Sequence, residues 1–172
     1  MQKVTIKIVT DKTPKVDIHA ILTPQEIDGI HHHIHHYPHN QGRRSANMIY
    51  GIGTDIVSLK RIIRLNKKFG QAFAVRILTP EELLEFPQAG KPVNYLAKRF
   101  AAKEAFAKAV GTGIRGAVSF RNIGIGHDAL GKPEFFYGPA LSKWLEEQGI
   151  SRVSLSMSDE EDTVLAFVVA EK

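Results

Sequence analysis

Six of the chain's eight histidines fall between His31 and His39, and no hydrophobic period runs through that stretch. This break constrains the fold more than any other feature. Ahead of it, Val4, Ile6 and Ile8 alternate with polar residues, which predicts one short strand. After it, Tyr37-Pro38 and the polar run Asn40 to Ser45 read as loop, and from Met48 onward the sequence is patterned throughout. Clustered imidazoles can bind zinc or nickel. Structural metal sites, however, space their ligands on a fixed frame with Cys or carboxylate help, and this tract has no such frame. Residues 1–47 therefore read as a His-rich leader, flexible or non-native, and are set apart from the fold. Residues 48–172 remain, 172 − 47 = 125 residues, enough for one domain with a core.

Within that domain, elements of both kinds are expected. Ile49 to Thr54 reads as a short strand punctuated by Gly51 and Gly53. A helix is predicted from Ile56 to Lys68, with Leu59, Ile62, Ile63 and Phe69 at helical spacing and Gly70 as its stop. Thr79-Pro80-Glu81-Glu82 marks a helix start: a cap, a proline in the first turn, and acids at the positive end of the dipole. That helix must end by Pro87. A long helix follows from about Val93 to Val110, closed by Gly111 and Gly113. Strands are expected at Phe120–Gly126 and Pro133–Tyr137, flanking a Gly131-Lys132-Pro133 turn. A helix from Pro139 to about Gly149 comes next. A final hairpin, Arg152–Met157 and Val164–Ala170, turns around Asp159-Glu160-Glu161-Asp162. With helices in the middle and strands dominating the end, the class is α+β, a small antiparallel sheet packed with a long central helix.

The distribution of charge narrows the function. The net charge is +5. From Asp55 to Arg115 there are 12 Lys/Arg against 5 Asp/Glu, and from Asp128 to Lys172 there are 4 against 9. An anionic partner should therefore meet the first half of the domain. The first helix carries Lys60, Arg61, Arg64, Lys67 and Lys68 at three- and four-residue spacings, and no acid occurs between Asp55 and Glu81. A nucleic-acid binder without catalysis is the alternative to an enzyme. It would interleave its basic residues with stacking aromatics. Only Phe69 and Phe73 lie nearby, and both read as core. The chain has no cysteine and no apolar run long enough to span a bilayer, which fits a cytoplasmic protein with no membrane partner.

Two segments carry chemistry. In Gly51-Ile52-Gly53-Thr54-Asp55, a carboxylate sits where a strand hands over to a helix. It is either an oxygen ligand for a hard cation such as magnesium or an ordinary helix N-cap. In the long helix, Glu104 is the one acid among Lys98, Arg99, Lys103 and Lys108. Glu104 and Lys108 share a face, as a surface pair or as part of a site. The surrounding alanines leave room for another element. One carboxylate, several cations and little bulk suit a metal bound beside phosphates.

The two segments together resemble the holo-acyl-carrier-protein synthase family, within the wider phosphopantetheinyl transferases. They are Ile52-Gly53-Thr54-Asp55-Ile56-Val57 and the run Arg99 to Lys108 followed by Gly111-Thr112-Gly113. The resemblance covers Met48 to Lys172. It implies a phosphopantetheinyl transferase-like fold and transfer of 4′-phosphopantetheine from coenzyme A, the co-substrate, to a serine of apo-acyl carrier protein, with release of adenosine 3′,5′-bisphosphate. It implies Asp55 and Glu104 as ligands of Mg2+, with Lys108 stabilising phosphate charge or the leaving group. Arg99 and Lys103 would lie near coenzyme A phosphates. Gly111, Thr112, Gly113 and, less directly, Lys132 would border the coenzyme pocket. It further implies carrier docking on the basic first helix, a homotrimer with sites at subunit interfaces, and a place in fatty acid biosynthesis. One departure stands out: many members have a histidine in the last hairpin, and here Asp159 falls near that position. A mechanism using that histidine does not transfer, which leaves Glu104 or a metal-bound water as base.

Overall fold

The computed structural model describes the strands Gln2–Ile8 and Val16–Leu22 and residues 48–172. The chain divides into two units, Met1–Arg44 and Ser45–Lys172. In the first, strands β1 (Gln2–Ile8) and β2 (Val16–Leu22) pair antiparallel, with Val4 opposite Ala20 and Ile6 opposite Ile18. Only β1 is expected from Val4, Ile6 and Ile8. The His31–His39 tract lies outside the described residues.

In the second unit, β3 (Ile49–Ser58) leads into α1 (Leu59–Phe69), α2 (Gln71–Ile77), α3 (Pro80–Glu85) and a 3-10 turn at Phe86–Gln88. The long helix α4 (Pro92–Ala109) follows, then β4 (Ile123–His127), β5 (Pro133–Tyr137), α5 (Pro139–Glu147), β6 (Arg152–Glu160) and β7 (Thr163–Glu171). β3, β7 and β6 form an antiparallel sheet in that order, and β4 pairs with β5 in a separate hairpin. The α+β class with a central helix is as expected.

Strand β3 runs four residues past Thr54, and α1 starts at Leu59 instead of Ile56. Ile56 and Val57 fit a helical spacing locally, but they are β-branched and pair with Leu165 and Val164 of β7, so tertiary pairing prevails. Helix α2 was not expected. Gly70, at φ 53, ends α1 and lets a second short helix start at once, burying Phe73, Ala74 and Ile77. At Thr79 the expected cap is a full capping box: the Thr79 hydroxyl accepts from Glu82 N–H at 3.2 Å, and Thr79 N–H donates to Glu82 Oε2 at 2.9 Å.

Helix α4 lies across the inner face of the sheet. Its Leu96, Ala97, Ala101, Ala105, Phe106 and Ala109 are buried with Val57, Leu155, Val164, Ala166, Val168 and Ala170. Alternation along the strands leaves the outer face apolar too: Ile52 is 61% exposed, Ile56 66%, Leu165 41% and Phe167 38%. The hairpin turn sits on the start of α1, with Leu59 N–H donating to Asp162 O at 2.7 Å and Lys60 Nζ 2.6 Å from Asp162 Oδ2.

Candidate active site

The site begins with two glycines on the inner face of β3. A Cβ on Gly53 would lie 2.0 Å from Ala105 O, and one on Gly51 would lie 2.1 Å from Ala109 O. Bare backbone on the strand and alanines on the helix bring β3 and α4 into direct contact. Two residues after Gly53, on the same face, Asp55 reaches the helix. Lys108 Nζ donates to Asp55 Oδ1 at 2.8 Å and to Thr54 O at 2.7 Å. Glu104 is half-buried one turn earlier. Burial first, and then the Asp55 carboxylate, hold its carboxyl above the usual range, while Lys108 and Arg61 pull the other way. The structure thus gathers Asp55, Glu104, Lys108 and Arg61 in one place.

This geometry removes both bland readings. Asp55 is not an N-cap: it sits within β3, paired with Ala166, and the residue before α1 is Ser58. Lys108 forms its ion pair with Asp55, across 53 residues of sequence, not a local pair with Glu104.

No cluster of three or more His, Cys, Asp or Glu side chains suited to a metal occurs among the described residues. Two carboxylates near enough to act on each other still fit Mg2+, which takes one or two protein carboxylates and completes its shell with water and substrate phosphate. The all-oxygen donor set is right for a hard cation, and Asp55 already draws an ammonium.

Arg99 and Lys103 are corrected. Both are buried: Arg99 is 3% exposed and Lys103 0%. Lys103 Nζ donates to Ile77 O at 2.7 Å, Phe120 O at 2.9 Å and Glu82 Oε2 at 2.5 Å, which uses all three protons. Burial pushes its pKa down to about 8 against the pull of Glu82. Arg99 lies 4.3 Å over the Tyr95 ring, with Nε 3.2 Å from Glu82 Oε1; the distance is that of an ion pair, without an aligned hydrogen bond. Lys103 has no donor left for a phosphate, and Arg99 is packed among Tyr95, Glu82 and Glu85. From sequence Glu82, the centre of this network, reads only as a helix-start acid, because the capping box accounts for it locally.

The remaining candidates spread around the helix. Thr112 and Gly113 N–H both donate to Ala107 O at 3.2 Å, folding the loop back over the end of α4, one turn from Lys108. Thr112 borders an open recess of about 470 Å3 with Arg115, Val118 and Trp144. Lys132 lies apart, lining a groove between β5 and β6 with Glu134, Arg152 and Ser154. Its N–H donates to Asp128 Oδ1 at 2.9 Å, which fixes the turn.

Lys60, Arg61, Arg64, Lys67 and Lys68 are all exposed on α1. Arg61 stands 5.5 Å over the Phe100 ring, so the stripe begins at the carboxylate cluster. Phe73 is core, but Phe69 stays 50% exposed, with Lys68 Nζ 5.0 Å from its ring centroid. Asp159 pairs with Lys98 at 2.7 Å, and that hydrogen bond holds its carboxyl below the usual range.

Residues 51–168 match the model of the 4′-phosphopantetheinyl transferase superfamily, and the chain belongs to it. Within that class its similarity is to holo-[acyl-carrier-protein] synthases. The enzyme of that name from Neisseria meningitidis serogroup C is 99% identical over 125 residues, which is 73% of this chain and 100% of the relative. A crystal structure of the Neisseria meningitidis synthase is 99% identical and superposes with TM-score 0.72 over 73% of this chain and 100% of that one. The Bacillus anthracis synthase, solved in complex with CoA (3′,5′-ADP), is 38% identical, with TM-score 0.60 over 72% and 97%.

Proposed function

We infer that this chain transfers 4′-phosphopantetheine from coenzyme A to a serine of apo-acyl carrier protein. One observation carries the reading: Asp55 of β3 and Glu104 of α4 converge beside Lys108 in a chain of the 4′-phosphopantetheinyl transferase superfamily. The relatives' name specifies the carrier as substrate, and the Bacillus anthracis complex supplies the coenzyme.

In the reaction, the serine oxygen bonds to the phosphorus next to the pantetheine. The pyrophosphate P–O bond breaks, and adenosine 3′,5′-bisphosphate leaves with the electron pair. Asp55 and Glu104 would hold Mg2+, which when bound offsets pyrophosphate charge. Lys108, half-exposed and held beside Asp55, would supply a positive charge beside the breaking bond. Glu104 is within the cluster to take the serine proton, directly or through water. The Gly111-Thr112-Gly113 loop borders the nucleotide side, and Lys132 belongs to a more distant part of that surface. The α1 stripe meets the acidic carrier.

Further parts of the reading concern the setting. The outer sheet face, with Ile52, Ile56, Leu165 and Phe167, is an apolar surface of the kind a subunit interface covers, which supports a homotrimer. Among the described residues no helix is long and apolar enough to cross a membrane. A cytoplasmic enzyme serving fatty acid biosynthesis, with residues 1–47 as an appended leader, accords with these features. The test is release of adenosine 3′,5′-bisphosphate from coenzyme A. It should require apo-carrier with its serine intact, and release without carrier would contradict the reading.

A further inference from the structure

We propose that Glu82 and Lys103 are positioning residues, a buried pair that sets the rotation of α4 so that Glu104 faces Asp55. The inference rests on the reading of those two carboxylates as a metal site. Glu82 is 1% exposed and Lys103 0%. Their partners come from α2, the start of α3, β4 and the loop before it, and Arg99 of α4 itself lies 3.2 Å from Glu82 Oε1. Glu82 Oε1 accepts Ile125 N–H from β4 at 3.0 Å, and Oε2 accepts Thr79 N–H at 2.9 Å and the Lys103 ammonium. Lys103 also reaches the end of α2 through Ile77 O and the loop before β4 through Phe120 O. No proton of the ammonium is left for anything else.

Glu104 is the next residue, and Ala105, in contact with Gly53, the one after. Successive side chains lie about 100° apart around the axis, so the pair grips one side of α4 while β3 rests on another. With side-chain ends about 6 Å from the axis, a turn of roughly 20° would move the Glu104 carboxyl by about 2 Å. Displacements of about 1 Å are enough to cost a hundredfold in an aligned reaction. Glu82 also serves Arg99 and two backbone N–H groups, so the network contributes stability as well, and the test has to separate that contribution from positioning.

The experiment measures Mn2+ binding by the electron paramagnetic resonance signal of the free ion, alongside kcat and KM. Its subjects are the full chain, Glu82→Gln, and the double variant Glu82→Leu/Lys103→Met. Glu82→Gln should weaken Mn2+ binding by at least about tenfold, the scale seen when outer partners of metal ligands are lost. It should lower kcat and leave KM for the carrier unchanged. The double variant leaves Arg99 without its Glu82 partner and should melt below the parent. While still folded by circular dichroism at the assay temperature, it should recover neither Mn2+ affinity nor kcat. Parental Mn2+ affinity and kcat in the double variant would show the pair to be structural only and overturn the inference. Asp55→Asn is the control for the underlying reading. If it binds Mn2+ as the parent does, the metal assignment falls, and the inference with it.

Discussion

Gly53 lies against Ala105 so closely that a single methyl at its Cβ position would sit 2.0 Å from the Ala105 carbonyl oxygen and 2.5 Å from Ala109 N. These are backbone atoms and cannot swing aside. Gly53→Ala should push β3 off α4, cost about 1–3 kcal/mol of stability as overpacking does, and separate Asp55 from Glu104. Thermal melts and turnover together check this. Activity should fall further than the loss of folded fraction accounts for. An alanine variant with parental turnover would mean that the close approach does not set the site.

Glu104 is held in a state that disfavours its charge. Burial and then Asp55 raise its folded pKa above the ordinary glutamate value. An acid with a raised folded pKa binds more protons folded than unfolded between the two values. Stability therefore falls as pH rises through that window, and at neutral pH ionised Glu104 is a net cost. Glu104→Gln should melt higher than the parent at pH 7, with the difference shrinking as pH falls through that window, while turnover drops by at least about a hundredfold. A lower melting temperature at pH 7 would contradict the sign.

The carrier surface is best tested away from Arg61, which stands over Phe100 and acts on Glu104. Arg64 and Lys67 occupy the same exposed face of α1 without that entanglement. Reversing both to Glu should raise KM for the carrier and leave KM for coenzyme A nearly unchanged. The gap from the parent should narrow with salt, because exposed charges are screened beyond about 8–10 Å. An equal loss for both substrates would place the stripe in the nucleotide pocket.

Residues 1–47 are expected to be dispensable. The family match covers 51–168, and the relatives' full length corresponds to 125 residues of this chain. A chain beginning at Met48 should melt and turn over like the full one. A large loss of either would give the leader a part in the fold.

What could be read from sequence was local or carried by a motif. Thr79 as a cap, the long helix around Glu104 and the hairpin ending in β7 each follow from a few adjacent residues. Asp55 and Glu104 were legible as a pair only through the two family segments, since nothing in spacing joins residues so far apart. The failures are tertiary. Ile56 and Val57 joined a strand because β7 was there to pair with them. Lys103 reads as a phosphate-binding cation because its partner Glu82, 21 residues away, already has a complete local explanation as a capping residue. Phe69 looked apolar enough for the core, yet Gly70 turns the chain before it can be covered.

The most direct measurement is the intact mass of apo-acyl carrier protein after incubation with coenzyme A and this chain, with Mg2+ or with excess chelator. The parent chain with Mg2+ should convert the carrier fully to the phosphopantetheinylated mass, and chelator should stop conversion. Asp55→Asn, folded by circular dichroism, should convert at least about a hundredfold more slowly. An unmodified carrier in the presence of parent chain and Mg2+ would contradict the transferase reading. Unchanged conversion by Asp55→Asn would contradict the site.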